Sequence, residues 1–121
     1  MRKIAYTLST CDTSKRILKA ANISSPEFEI VDIKTHGISQ TELEDMKALS
    51  GSYEALFSRR AQKYKSMGLK DKTLTETDYR DLILQEYTFL KRPVIIINDS
   101  IFIGNSKKNV ESLLNYRAAN K

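Results

Sequence analysis

The sequence predicts an α/β fold with a four-stranded mixed sheet and a helical insertion. Its first third follows the order strand, helix, strand, which is typical of a parallel pair joined by a right-handed crossover. Its last third carries two short apolar runs separated by a turn, the pattern of an antiparallel hairpin, and then a helical segment. Between them, residues of about 39–88 repeat apolar side chains at helical spacing. We therefore expect one domain over residues 1–121, with the insertion at about 39–88.

The opening part of the chain contains two strands and the helix between them. Ile4–Leu8 is an apolar run, and Glu27–Ile33 alternates apolar and polar residues as a half-buried strand does. The intervening segment places Ile17 and Leu18 on one side of a helix, and Asn22 suits the end of that helix.

The middle of the chain carries most of the helix signals. Lys34–Gly37 reads as a loop, and Ser39 with Glu42 forms the pattern of a capping box, which predicts that a helix starts there. Residues 52–68 predict one or two short helices. Their expected buried positions are Leu56, Phe57, Tyr64 and Met67.

The end of the chain predicts a helix, a hairpin and a last helix. A helix begins after Thr75. Val94–Ile97 is a fully apolar strand, and Ile101–Ile103 is the return strand of the hairpin. Ser106 is suited to cap the final helix.

Composition excludes several classes of protein. Apolar residues make up 40% and charged residues 29% of the chain, as in ordinary globular domains. Neither a membrane span nor a secretory signal is expected, because no apolar run approaches the roughly 20 residues that a span needs. The single cysteine leaves no internal disulfide and suits a reducing cytoplasm, which is the expected location.

The charge of the chain fits several kinds of partner. Its net charge of +5 suits anionic substrates or nucleic acid and proves neither. Direct nucleic-acid binding is not expected, because the basic residues lack interleaved aromatics and a helix-turn-helix pattern. No metal site is expected either, since His36 is the sole histidine and has no cluster of ligand-type residues around it.

Cys11 is the candidate reactive residue. It lies between the first strand and the first helix, where open α/β sheets keep their sites and where a helix N-terminus favours a thiolate. Lys15 adds positive charge one turn on, so the thiol pKa should lie below the free value of roughly 8.5. Ser14 either donates a hydrogen bond to the thiolate or only satisfies the first turn of the helix. The alternative for Cys11 itself is a small buried apolar residue.

Three segments resemble one family. Thr10–Lys15, Tyr64–Leu69 and Phe89–Ile95 are similar to segments of the glutaredoxin-linked arsenate reductase and Spx-like family, which has the thioredoxin fold. The resemblance covers nearly the whole chain. It implies that Pro93 follows a cis peptide bond and faces the cysteine, and that Arg92 binds an anionic substrate.

The chain departs from arsenate reductases at several positions. Thr7 stands where they carry a histidine, and Lys15 where they carry an arginine. Their middle arginine aligns on Ser58, with Arg59 and Arg60 beside it as candidates for the same role.

The Spx-like members share two of these positions with the chain and differ from it at one. Gly104 and Arg60 match positions at which Spx-like members carry the same residues. Ser14, however, replaces the second cysteine of their disulfide switch, so that switch is unavailable in this chain.

Two functional hypotheses follow. The first is a thiol reductase of arsenate reductase type, in which Cys11 attacks an oxyanion or a mixed disulfide. Arg92, Arg60 and Lys15 are the cations placed around the oxyanion. No cofactor is bound, and glutathione or a glutaredoxin serves as external reductant. The alternative is a non-catalytic Spx-like regulator that binds RNA polymerase.

Overall fold

The computed structural model describes residues 2–120 and contains a mixed sheet of the expected kind. The strands, β1 to β4 in chain order, are Lys3–Thr7, Glu29–Asp32, Val94–Ile97 and Ser100–Ile103. Within residues 2–120 the sheet has four strands in the order β2-β1-β3-β4. β1 pairs with β2 in parallel and with β3 antiparallel, and β3 pairs antiparallel with β4. The four-stranded mixed sheet is therefore confirmed.

The helices follow the predicted order, except for one short helix directly after β2 where a loop is predicted. They are α1 to α6, at Asp12–Ala20, Ile33–His36, Gln40–Ser50, Gln62–Ser66, Glu76–Gln85 and Lys107–Ala119. Short 3-10 turns lie at Glu54–Leu56, Leu69–Asp71 and Tyr87–Phe89. Among residues 2–120, no helix combines the length and the apolar character needed to cross a bilayer.

Packing divides the described chain into two compact units. The first contains the residues up to His36 together with those from Arg92 onward, and the second is Gly37–Lys91. The first unit holds the whole sheet with α1, α2 and α6, and the second holds α3, α4 and α5.

The core of the first unit lies between the sheet and helices α1 and α6. Ala5 of β1 and Ile95 of β3 oppose each other in the sheet and belong to one buried cluster. The helices contribute Ile17, Leu18 and Leu113 to that cluster. Both helices therefore cover the same face of the sheet. Asn22, with a φ of 57°, lies just beyond α1, in agreement with the predicted end of that helix.

The second unit is built on an aromatic cluster and on capped helices. Phe57 packs on Tyr64, Tyr79 and Phe89, with ring centroids 6.0, 4.9 and 5.0 Å away. The capping box at the start of α3 is present, because Ser39 Oγ accepts from Glu42 N and Ser39 N donates to the Glu42 carboxylate. Thr75 forms a second capping box with Asp78 at the start of α5.

Two local predictions are wrong. The expected loop at Lys34–Gly37 is largely helical, because Ile33 is buried and starts the turn of α2. Met67, predicted to be buried, is 43% exposed. It follows α4, which has only five residues and is too short to turn a continuous apolar stripe inward.

Candidate active site

Cys11 is the N-cap residue of α1. Its backbone N–H donates to Leu8 O at 2.9 Å, and its carbonyl accepts from Lys15 N at 3.2 Å. The side chain makes no capping hydrogen bond and is only partly buried. The backbone therefore fixes the residue at the positive end of the helix and leaves the sulfur available for chemistry.

Asp32 holds the loop that precedes Cys11. Its carboxylate accepts from Ser9 Oγ at 2.7 Å, from Ser9 N at 3.3 Å and from Lys34 N at 3.2 Å. Asp32 ends β2, the strand that pairs in parallel with β1, so the carboxyl ends of both strands meet at this loop. The Ser9 hydroxyl is the main group that lowers the pKa of Asp32.

Ser14 lies in the first turn of α1 with its side chain fully buried. Its Oγ makes no regular hydrogen bond within residues 2–120, yet it is near enough to act on the Cys11 sulfur.

Arg92 approaches the same sulfur from the other end of the chain. Its guanidinium is directed at Cys11, and the Arg92–Pro93 peptide that follows is cis, as expected from the resemblance. Pro93 is buried and its carbonyl accepts from Gly104 N at 2.8 Å. These contacts fix the backbone that carries the arginine.

The electrostatic balance at Cys11 favours the thiolate. Partial burial acts to raise the pKa of the thiol, but three groups outweigh it: the Ser14 hydroxyl, the Ser14 backbone N–H and the Arg92 guanidinium. The pKa of Cys11 is therefore below its ordinary value, which increases the fraction of reactive thiolate at neutral pH.

The sequence also matches a known protein family over most of its length. Residues 6–113 match the ArsC family. The chain belongs to that family. The fold of this ArsC-family chain is thioredoxin-like, as the resemblance implied.

Similar proteins are distant in sequence and alike in fold. An uncharacterized protein of Haemophilus influenzae is 23% identical over 108 residues, which are 88% of this chain and 94% of that protein. The structure of an arsenate reductase from Vibrio cholerae is 18% identical, with a TM-score of 0.73 over 95% of this chain and 97% of that chain. The solution structure of an arsenate reductase (ArsC) related protein from Brucella melitensis is 20% identical, with a TM-score of 0.68 over 93% of each chain.

The structure brings together some of the predicted site residues of this ArsC-family chain. Ser14 and Arg92 both act on the Cys11 thiol, and Pro93 follows Arg92 across a cis peptide bond. Lys15 is exposed on α1, and the groups that lower the pKa of the thiol are Ser14 and Arg92.

The two middle arginines belong to the second unit and differ from each other. Arg59 is bound to Glu54 at 2.7 Å and to Tyr79 Oη at 2.9 Å, and Glu54 raises its pKa. Arg60 is exposed and makes no hydrogen bond or ion pair with any other described residue. Of the pair, Arg60 is the one left available to an anion.

Sequence reasoning missed two parts of the site. Asp32 was counted only as part of a strand, although a polar residue at the end of a strand beside Ser9 was a signal for it. Thr7 was noted only as a departure from the family. It lies two residues after Ala5 on β1 and so shares the face that α1 covers, and its buried Oγ1 has no partner among the described residues.

No group of three or more His, Cys, Asp or Glu side chains within residues 2–120 is arranged to hold a metal ion. The chemistry that the site itself offers is that of a thiolate beside a guanidinium.

Proposed function

We propose that this ArsC-family protein is a thiol-dependent oxidoreductase in which Cys11 is the nucleophile and external thiols restore it. One observation carries the proposal: Cys11 lies at a helix N-terminus, and the Ser14 hydroxyl and the Arg92 guanidinium both lower the pKa of its thiol. A cation beside a nucleophile is what an anionic substrate needs, since two negative groups repel each other at close range.

Arsenate is the first substrate to consider. The Cys11 thiolate displaces a hydroxyl group from arsenic, which leaves as water after protonation, and an S–As bond forms. External thiols then supply two electrons, so arsenate and two thiols become arsenite, one disulfide and water. In this scheme Arg92 pairs with the oxyanion through its planar fork, and Lys15 is a further candidate cation.

The reductant must come from outside the chain. Cys11 is the only cysteine in this sequence, so no second thiol of the chain can resolve an intermediate formed on it. Glutathione or a glutaredoxin fits this requirement, and both are available in a reducing cytoplasm, which is the location we propose.

The test is turnover by purified protein with arsenate, glutathione and glutaredoxin, followed as oxidation of NADPH through glutathione reductase. We expect activity in the natural sequence and none in Cys11→Ser, with unchanged circular dichroism because serine is nearly isosteric. A glutathione mixed disulfide replaces arsenate in a parallel assay. The proposal would be contradicted if the natural chain turned over neither arsenate nor the mixed disulfide, or if Cys11→Ser were fully active.

A second candidate is a binding role towards RNA polymerase, and one observation favours it. Residues 59–72 contain six basic residues and one aspartate, so this segment alone accounts for the net charge of +5. Within it, Arg60 and Lys65 are exposed and form no ion pair with other described residues. Retention of purified RNA polymerase by the natural chain, but not by Arg60→Glu/Lys65→Glu, would support this role.

A further inference from the structure

A groove of about 330 Å³ runs between α1 and α6 in the first unit. Its apolar side chains come from both helices, and charged side chains stand among them. The residues that line the groove include Thr13, Arg16, Ile17, Ala20, Lys107 and Val110. Thr13 lies two residues after Cys11, so the groove begins within one helical turn of the reactive thiol.

The direction of the two helices places both of their N-termini at the Cys11 end. Arg117, near the end of α6, donates from Nε to Ala21 O and from Nη2 to Asn22 O, each at 3.0 Å. The C-terminal ends of α1 and α6 are thus bound together. Because both helices cover the same face of the sheet, their N-terminal ends also lie at a common end.

A second contact ties the start of α6 to the thiol site. Gly104, just before the capping residue Ser106, donates to Pro93 O at 2.8 Å, and Asn109 Nδ2 donates to Gly104 O at 2.8 Å. Pro93 follows Arg92, whose side chain reaches the Cys11 sulfur. The segment that leads into α6, one wall of the groove, is therefore bound to the residue that follows Arg92.

The charges of the groove are arranged for an acidic group. Arg16 and Lys107 are exposed, stand on opposite walls, and make no hydrogen bond or ion pair with any other residue in the described part of the chain. The positive ends of the helix dipoles of α1 and α6 lie at the Cys11 end of the groove and add to the positive charge there. Glu111 is the one acidic lining residue, and it lies one turn further along α6 than Lys107.

The floor between these charges is apolar. Ile17 is buried, and Val110 is partly buried against the core cluster. The groove is open to solvent, whereas small-molecule pockets enclose most of the surface of their ligand, so the groove suits one or two side chains of a partner protein.

We propose that the α1–α6 groove is the docking surface for the protein thiol that reduces Cys11, a partner that presents a carboxylate next to an apolar side chain. The inference rests on the proposed function and adds the place and chemistry of its partner. The carboxylate lies between Arg16 and Lys107, and the apolar side chain packs on Ile17 and Val110.

The step that follows docking is a thiol–disulfide exchange. Cys11 carries a mixed disulfide, and the partner thiolate attacks the outer sulfur of that bond. A new disulfide forms between the partner and the outer group, and the electron pair of the broken bond leaves with Cys11 Sγ as thiolate. The partner is oxidised and Cys11 is reduced, so the electrons balance.

The experiment begins with protein whose Cys11 has been converted to a glutathione mixed disulfide with oxidised glutathione. Release of the glutathione is followed by mass spectrometry after addition of glutaredoxin, of thioredoxin, or of dithiothreitol. The groove variant is Arg16→Glu/Lys107→Glu. The control is Lys19→Glu/Lys108→Glu, which makes the same charge change on the same two helices at residues that do not line the groove.

We expect at least one of the two proteins to release glutathione faster than dithiothreitol does, and the groove variant to slow that protein about tenfold or more. The control should change the rate by less than about threefold, and high salt should reduce the difference between the variants, because exposed charges are screened. Dithiothreitol should act equally on all three forms.

Three results would overturn the docking surface while leaving the proposed function in place: equal slowing of the protein reductant in groove variant and control, slowing of dithiothreitol in the groove variant, or release by small thiols only. Failure of Cys11 to form a mixed disulfide at all would overturn both proposals, and it is seen before any reductant is added.

Discussion

The region around Cys11 and the region around Phe57 differ in whether their polar side chains have hydrogen-bond partners. Near Phe57, Arg59 is bound to Glu54 and Tyr79 and its guanidinium lies 5.7 Å from the Tyr79 ring. In the Cys11 unit, two hydroxyls are buried without a regular partner, and these are the only such side-chain atoms in residues 2–120.

The difference separates structural from chemical use of polar groups. An unpaired buried hydroxyl costs about 1–3 kcal/mol of stability, so a fold retains one only where something compensates for it. At Ser14 the compensation that we infer is stabilisation of a thiolate. In the Phe57 region no reactive group is present, and the polar groups are used to hold the helices and turns of the second unit together.

The largest expected effect is on activity, and it should separate Arg92 from Arg59. Arg92→Ala should lower kcat/KM with arsenate or a glutathione mixed disulfide by roughly ten- to a hundredfold, because a charge-assisted hydrogen bond to a partly buried anion contributes about 1.5–3 kcal/mol. Its melting temperature should remain close to that of the natural chain.

Arg59→Ala should show the reverse. It removes an exposed ion pair and a ring contact, so the free energy of unfolding should fall by about 0.5–1 kcal/mol while kcat/KM of the folded protein is unchanged. The two variants are compared by steady-state kinetics and by urea unfolding. If Arg59→Ala lost as much activity as Arg92→Ala, the division into structural and chemical arginines would be wrong.

Removal of the two buried hydroxyls tests whether both serve the thiol. Ser14→Ala should raise the pKa of Cys11, measured from the ultraviolet absorbance of the thiolate against pH, without loss of stability, because the hydroxyl has no regular partner to lose. Thr7→Val, which keeps the shape of the side chain, should leave the pKa unchanged and stability equal or higher.

Two outcomes would revise that view. A rise of the pKa in Thr7→Val would extend the thiolate-stabilising group to β1. A clear loss of stability in Ser14→Ala would show instead that Ser14 has a structural role in the folded chain.

The smallest expected effect is the pH dependence of stability that arises from two aspartates with a lowered pKa. Asp32 and Asp78 each have a pKa below the ordinary value, Asp32 chiefly through the Ser9 hydroxyl and Asp78 through Thr75. A group with a lowered folded pKa contributes stability above its unfolded pKa of about 3.9, and that contribution is lost as the pH falls through the folded value.

The variants Asp32→Asn and Asp78→Asn should therefore melt at a lower temperature than the natural chain at neutral pH. This difference in melting temperature should shrink as the pH falls below about 4. Asp32→Asn should also change the rate of Cys11 alkylation by iodoacetamide, because Asp32 holds the loop before the cysteine. Asp78→Asn should not. Equal alkylation rates in the two variants would show that the Ser9 contact does not position the thiol.

Local signals predicted most of the elements. The capping box at Ser39 and the start of a helix after Thr75 were predicted correctly, because both depend on residues close together in the sequence. The place of Cys11 at the start of a helix followed from the strand before it and the helical spacing after it. Lys34–Gly37 and Met67 were misjudged, because burial of Ile33 and the shortness of α4 depend on packing that adjacent residues do not reveal.

The sequence by itself determined the order of elements, the single thiol and the helix N-terminus that receives it, because these depend on composition and on short-range periodicity. The family resemblance implied that Arg92 serves the Cys11 site, and only the tertiary structure decided that Asp32 holds Ser9 and that the N-terminal ends of α1 and α6 lie together. Each of these contacts joins segments distant along the chain, and which distant groups meet is set by sheet register and helix packing, which no local pattern encodes.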